Sequence, residues 1–139
     1  MSFEVFLQRF ERGEPSGVGE ASIRVFLHAV SCDAGSDCWH IGYDDVNHCD
    51  VHVSRDAVDP GRVTGLTVCR PCGDGRLWDS LYAILSSGPW VMYYPELGPS
   101  LLVADERHCD QVPLEMLEAL GPARVVRSGA EIAAAVTGR

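Results

Sequence analysis

The sequence predicts an α+β domain in which helices pack on a mixed, mostly antiparallel sheet. Short runs of alternating apolar residues follow one another without a helix in the middle of the chain, a pattern typical of antiparallel hairpins. Helical periodicity appears in separate segments before and after these runs. A chain of 139 residues without an internal repeat fits one domain, 1–139. The predicted order of elements is therefore β-α-β-β-β-α-β-β-α-β-α.

The first half of the chain predicts an inner strand, a helix and a hairpin. Residues 2–10 alternate with apolar side chains on both sides, and residues 11–17 have the composition of a turn. Residues 19–30 carry apolar side chains at the spacing of one helix face. Two alternating runs, 39–43 and 49–53, flank a short polar loop and predict an antiparallel hairpin.

The segment 64–85 predicts the centre of the fold, because a strand there runs through Cys69-Arg-Pro-Cys72 into an amphipathic helix. Asp74 precedes this helix and is expected to cap its N-terminus. In the next helix we expect Leu114, Leu117 and Leu120 to be buried. The remaining elements are expected as strands at 90–94, 100–104 and 123–127 and as helices at 113–120 and 128–136.

The composition is acidic, with a net charge of −9 from 20 acidic and 11 basic residues. Every basic residue is arginine, a usage typical of GC-rich bacteria. Phosphate backbones repel an acidic protein, so we expect no nucleic-acid partner. No apolar run approaches the ~18 residues of a membrane span, and the N-terminus lacks the basic region of a signal peptide. We therefore expect a cytoplasmic protein with no membrane partner.

Acidic residues are concentrated between positions 33 and 59, where Arg55 is the only basic residue. The aspartates of this stretch are Asp33, Asp37, Asp44, Asp45, Asp50, Asp56 and Asp59. One interpretation is a solvated, loop-rich surface. The other is a docking surface for a basic protein partner, with Asp33, Asp37, Asp44, Asp45 and Asp50 as binding residues.

The Cys69-x-x-Cys72 pair is the sharpest chemical signal in the sequence. A cysteine at a helix N-terminus favours its thiolate, so a redox role is one hypothesis. Two cysteines at this spacing are also typical zinc ligands, although no second Cys-x-x-Cys completes a site. The third interpretation is that most cysteines, in a reducing compartment, are small buried apolar residues.

The predicted hairpin offers a second metal hypothesis. In one register His40 stands opposite His52, and Asp44 stands opposite His48. Histidine and carboxylate ligands suit zinc, nickel or a similar divalent metal. Polar side chains are also what any half-exposed hairpin carries on its outer face, so this pattern equally indicates a plain solvated surface.

Three segments together resemble a group of small bacterial proteins of uncharacterised function. They are MSFEVFL at the start, RPCGDGRLWDSLYAIL in the middle and LGPARVVRSGAEI near the end. Some members of such groups resemble immunity proteins of toxin systems, and the resemblance implies a protein that acts by binding. The sequence shows no complete catalytic motif. Our hypothesis is an immunity-type or regulatory binding protein; the alternative is a metal- or thiol-dependent protein that uses Cys69 and Cys72, or His40 and His52.

Overall fold

The computed structural model describes residues 4–27, 36–94 and 101–137. Within these ranges nine strands form one mixed, mostly antiparallel sheet with helices packed on it, so the predicted α+β class is confirmed. Among the helices of these ranges, none has the length and apolar composition that crossing a membrane would require.

The elements follow the chain as four helices, one 3₁₀ helix and nine strands within the described ranges. The strands are β1 (Glu4–Glu11), β2 (Glu14–Pro15), β3 (Val18–Gly19), β4 (Cys38–Gly42), β5 (His48–Arg55), β6 (Arg62–Cys69), β7 (Trp90–Tyr93), β8 (Leu101–Val103) and β9 (Arg124–Val125). The helices are α1 (Glu20–Arg24), α2 (Gly75–Ser86), α3 (Leu114–Leu120) and α4 (Gly129–Thr137), with the 3₁₀ helix at Glu106–Gln111.

The sheet has the order β4-β5-β6-β1-β7-β8-β9, with β2 paired to β1 and β3 paired to β6. Every pairing is antiparallel except that of β8 with β9. The meander β4-β5-β6 follows directly from the alternating runs of the sequence, because short connections join antiparallel neighbours. Strand β1 lies between β6 and β7 and joins the two halves of the sheet.

One face of the sheet, here called the helical face, packs against α1, α2 and α4. Helix α2 buries one complete side on it, and Leu81 has no exposed surface. Its fully or nearly fully buried apolar residues are Leu77, Trp78, Leu81, Ile84 and Leu85. Gly129 brings α4 directly onto α2, because a Cβ at this position would lie 2.6 Å from the backbone nitrogen of Asp79.

The opposite face is divided into two parts. Over β7 and β8 it is apolar and packs against α3 and the 3₁₀ helix, around Phe10, Val91, Leu101, Val103 and Val112. Over β4, β5, β6 and the first half of β1 it carries mainly polar side chains; this part is called the polar face. Along β5 the residues alternate between buried and exposed from His48 to Ser54, so one side of the strand lies in the core and the other does not.

Three details of the predicted fold are corrected. Residues 11–17 contain one short strand, β2, besides a tight turn, in which Arg12 and Gly13 adopt positive φ angles of 53° and 78°. Helix α1 ends at Arg24 and continues as tighter turns to Leu27, while residues 28–30 of the predicted helix lie outside the described ranges. Leu114 is 69% exposed, because it is the first residue of α3 and projects beyond the apolar cluster, and Leu117 and Leu120 are only partly buried.

Candidate functional site

The strand register places the side chains of the polar face in two parallel rows. The first row runs from β4 to β1 through His40, Asp50, Cys69 and Glu4. The second row runs from β4 to β7 through Cys38, His52, Thr67, Phe6 and Tyr93. Neighbours within a row are about 5 Å apart and the rows about 7 Å apart, so the face presents its side chains as a regular array.

His40 stands opposite Asp50, and its Nδ1 lies 2.8 Å from Asp50 Oδ1. The register with His40 opposite His52 is therefore wrong: His52 stands opposite Cys38, in the second row. The ring of His48 lies 5.5 Å from that of His40, measured between centroids. The hairpin thus joins His40 to a carboxylate and leaves His52 one row away.

The loop of the hairpin explains this register. Asp44 lies in the loop, not opposite His48, and its carboxylate accepts hydrogen bonds from Val46 N at 2.8 Å and from Asn47 N at 2.7 Å. These bonds and those from the Asn47 side chain hold the pKa of Asp44 below its ordinary value. A five-residue loop, 43–47, is thereby stabilised, whereas the register that pairs His40 with His52 needs a loop of only three residues.

Asp37 has a structural partner. Arg55 Nε donates to Asp37 Oδ1 at 2.8 Å, and Arg55 also bonds Glu20 Oε1 at 2.5 Å. Hydrogen bonds with Glu20 and then with Asp37 raise the Arg55 pKa. This group lies at the opposite end of β4 from Asp44, about 17 Å away for five strand residues.

The predicted acidic docking surface is therefore spread over several places. Asp37 belongs to the Arg55 cluster, and the carboxylate of Asp44 is bound to its own loop. Asp33 lies outside the described residues. Asp45 is exposed at the hairpin tip beside Val46, which is 83% exposed, and Asp50 is exposed on the polar face.

The two cysteines of Cys69-x-x-Cys72 have different surroundings. Cys69 belongs to the first row of the polar face, between Asp50 and Glu4, and burial together with these two carboxylates raises the pKa of its thiol. Arg70 follows with a positive φ of 48°, and Pro71 continues the turn. This reversal carries Cys72 to the other side of the sheet, where it packs against the core of the helical face.

Asp74 caps α2, as the sequence predicts. Its carboxylate accepts a hydrogen bond from Arg76 N at 2.9 Å, and the Arg76 side chain lowers the Asp74 pKa to about 2. Cys72 lies two residues before this cap. The N-terminus of α2 is therefore capped by the Asp74 carboxylate and not by the Cys72 thiol.

The partner of Cys72 is Cys49, which sequence reasoning missed as a functional candidate. Cys49 is 5% exposed near the start of β5 and faces the core. The register pairs its neighbour Asp50 with Cys69, so Cys49 adjoins the turn that carries Cys72, and Cys72 packs against the core cluster that contains Cys49. Burial and the neighbouring Cys72 raise the Cys49 pKa to about 12, so this thiol is protonated at neutral pH. The alternation of residues 49–53 indicated the inward direction of Cys49, but not its contact across the core.

Tyr43 lies beside this thiol pair. Burial raises its pKa, and the two sulfur atoms add to the effect. The guanidinium of Arg76 lies over the Tyr43 ring, 4.6 Å from the centroid. The neighbouring Ser80 hydroxyl donates to Arg76 O at 2.9 Å, and in the part of the chain described here the buried Tyr43 hydroxyl makes no hydrogen bond of good geometry.

The residues proposed for metal binding are not gathered into one group. Across residues 4–27, 36–94 and 101–137, no three histidine, cysteine, aspartate or glutamate side chains are arranged to hold a metal ion. Zinc or a similar divalent metal at His40, His52, Cys69 or Cys72 thus stays a prediction from the sequence.

A shallow cleft of 270 Å³ lies on the polar face beside the second row. The rings of Phe6 and Tyr93 stack at 5.0 Å between centroids and form one wall. Gly65 forms part of its floor, since a Cβ there would lie 3.0 Å from Leu7 O. The polar side chains that line the cleft are Gln8, Ser54, Thr64 and Thr67. The cleft therefore combines an aromatic wall with uncharged hydrogen-bonding groups.

No protein-family model matches the chain, and no curated protein or solved structure shows significant similarity to it.

Proposed function

We propose that this protein is a cytoplasmic binding protein, of the immunity or regulatory type, that docks a basic protein surface on its polar face and on the adjoining hairpin tip. The observation that carries the proposal is the double row of side chains across β4, β5, β6, β1 and β7. It offers carboxylates at Glu4 and Asp50 in the first row and a stacked aromatic pair, Phe6 and Tyr93, at the end of the second row. Charged side chains beside an aromatic anchor are a common composition of protein interfaces.

The charge distribution supports a cationic partner. The net charge is −9, and five arginines already contact carboxylates of the same chain. They are Arg9, Arg24, Arg55, Arg76 and Arg107. A partner approaching from solution therefore meets a negative field, which accelerates association with a basic surface.

The aromatic pair supplies the anchor of the proposed interface. Phe6 and Tyr93 are partly exposed, and the cleft beside them has room for one side chain of a partner. An arginine or lysine fits this cleft, because its cationic head attracts an aromatic face and its donors match the hydroxyl and amide oxygens of the lining.

The test compares two variants with the same loss of charge. Asp45→Asn with Asp50→Asn removes two carboxylates at the proposed interface. Glu115→Asn with Glu118→Asn removes two exposed carboxylates from α3 and serves as the control. A cytosolic partner is first captured on immobilised wild-type protein, and its association rate is then measured against NaCl concentration.

We expect the interface variant to associate roughly two- to tenfold more slowly at low salt, with a flatter salt dependence. The α3 variant should keep most of the wild-type rate. Asp44 is left unchanged in this test, since its carboxylate holds the hairpin loop. Docking through this face would be excluded by equal association rates for all three proteins, or by an association rate that does not change with NaCl concentration.

A further inference from the structure

We propose a second, chemically distinct site on the helical face: Cys49 and Cys72 form a reversible disulfide when the protein meets a low-molecular-weight disulfide. The proposal does not depend on the binding function. It begins from position, since Cys49 comes from β5 and Cys72 from the turn before α2, and both pack into one core. The register brings them together, since Asp50 pairs with Cys69 and Cys49 therefore adjoins the turn after β6, and the Cys72 thiol is near enough to raise the pKa of Cys49. A disulfide needs the two sulfurs to approach to about 2.05 Å.

The two cysteines differ in access, and this difference assigns their roles. Cys72 is partly exposed, whereas Cys49 is buried. Cys72 therefore attacks the incoming disulfide, forms a mixed disulfide with one half of the reagent and releases the other half as a thiol. As Cys49 attacks the Cys72 sulfur, its proton passes to the departing half of the reagent, which leaves as a thiol, and the internal bond closes. Two protein thiols are oxidised and one small disulfide is reduced to two thiols.

The turn that carries Cys72 has room to make the required movement. Gly73 and Gly75 have no heavy atom within 4 Å of where a Cβ would stand. Asp74 anchors the start of α2 behind the turn, and Val68 anchors the end of β6 before it, with no exposed surface. We place the required movement in the turn between these anchors, residues 70–73, where Gly73 has open space around it.

Tyr43 completes the site. Its hydroxyl is buried and is near enough to both sulfurs for them to raise its pKa. Arg76, whose guanidinium is paired with Asp74, covers the outer face of the Tyr43 ring.

The pairing differs from the one that sequence spacing favours. Cys69 stands three residues from Cys72 but lies on the polar face, with Glu4 and Asp50 beside it. The structure consequently predicts a bridge between distant residues of the chain instead of a Cys69–Cys72 bridge. This difference makes the proposal directly measurable.

The experiment treats the intact, reduced protein with oxidised glutathione under native conditions, blocks the remaining thiols by alkylation and maps the links by mass spectrometry. We expect a linked peptide pair containing Cys49 and Cys72, with two of the six thiols lost to alkylation. Dithiothreitol should restore both thiols. The mapping needs no variant, so it is decisive even if a substitution at buried Cys49 impairs folding.

Three variants test the assigned roles. Cys69→Ser should form the link at the wild-type rate, and Cys72→Ser should abolish it. Cys49→Ser, where folded, should keep glutathione attached at Cys72, because the resolving thiol is missing. A Cys69–Cys72 link, a stable glutathione adduct at Cys72 of the wild-type protein, or no reaction at either cysteine would overturn the proposal.

Discussion

The two faces of the sheet differ in what determines their side chains. The helical face is covered by α1, α2 and α4. The size of its side chains is restricted, because each must fill the space between the sheet and the helices. The polar face carries His40, Asp50 and His52 at positions that are exposed or half-exposed, where many side chains fit equally well. The stability of the fold therefore depends mainly on the helical face, whereas the exposed side chains of the polar face can vary with little effect on stability.

The largest expected effect is on the helical face. Leu81→Ala removes a side chain with no exposed surface from the centre of α2 and should cost on the order of 2–5 kcal/mol of unfolding free energy. Denaturant unfolding measures it. Leu114→Ala is the matched control, since Leu114 is 69% exposed and should change stability by less than ~0.5 kcal/mol. A loss below ~1 kcal/mol for Leu81→Ala would contradict the assigned core.

The next effect tests the contact between α2 and α4. In Gly129→Ala the new methyl group would lie 2.4 Å from Asp79 Oδ1 and 2.7 Å from Trp78 C, so the helices must move apart. We expect a cost of about 1–3 kcal/mol. Gly75→Ala is the control, because Gly75 also begins a helix but has open space around it. If both variants unfolded at the same denaturant concentration, the close approach would not exist in solution.

A smaller effect concerns the cap of α2. The Asp74 pKa is lowered to about 2, so its ionised form stabilises the folded state above the unfolded pKa of ~3.9, and this contribution is lost as the pH falls through about 2. Asp74→Ala should lower the melting temperature at pH 7, and the difference from wild type should shrink between pH 4 and pH 2. Val46→Ala, at the exposed hairpin tip, removes no ionisable group and should show no such pH-dependent difference. A constant difference at all pH values would argue against a charged cap.

The smallest effect is expected on the polar face. The His40–Asp50 pair is about half exposed on both sides, and surface pairs of this kind contribute about 0.2–1 kcal/mol. A double-mutant cycle with His40→Ala and Asp50→Ala should give a coupling energy in this range that decreases with added salt. A coupling above ~2 kcal/mol would mean that the polar face is built for stability, and the contrast between the faces would disappear.

Much of the fold was predictable because local patterns determine it. The Asp74 cap is confirmed, and a similar local bond begins α4, where Ser128 Oγ accepts from Glu131 N at 3.1 Å. The predicted hairpin of β4 and β5 is also confirmed, and its register keeps the apolar side chains of both strands on the core side. Choosing between a three- and a five-residue loop required the Asp44 side chain bonds, which alternation does not encode.

The candidate sites were harder to predict because they depend on tertiary contacts. Spacing paired Cys72 with Cys69, but the positive φ at Arg70 sends the two to opposite sides of the sheet. A similar irregularity affects β6. Opposite the step from Ser54 to Arg55 the strand contains one extra residue, so Val63 lies in the core and not on the face of Cys69. A bulge of this kind depends on the pairing with the neighbouring strand, so the residue pattern of one strand does not reveal it.

The central place of β1 has a consequence for the order of events during synthesis. This strand leaves the ribosome well before its partners Gly65–Cys69 in β6 and Trp90–Tyr93 in β7, because both follow it at a distance along the chain. The apolar side chains of Val5 and Leu7, which are buried in the folded protein, therefore stay exposed until β6 and β7 have been synthesised. Folding that depends on such distant pairing is slow and exposes the nascent chain to misassembly, so a chaperone that binds β1 until β6 and β7 have been synthesised would benefit this protein.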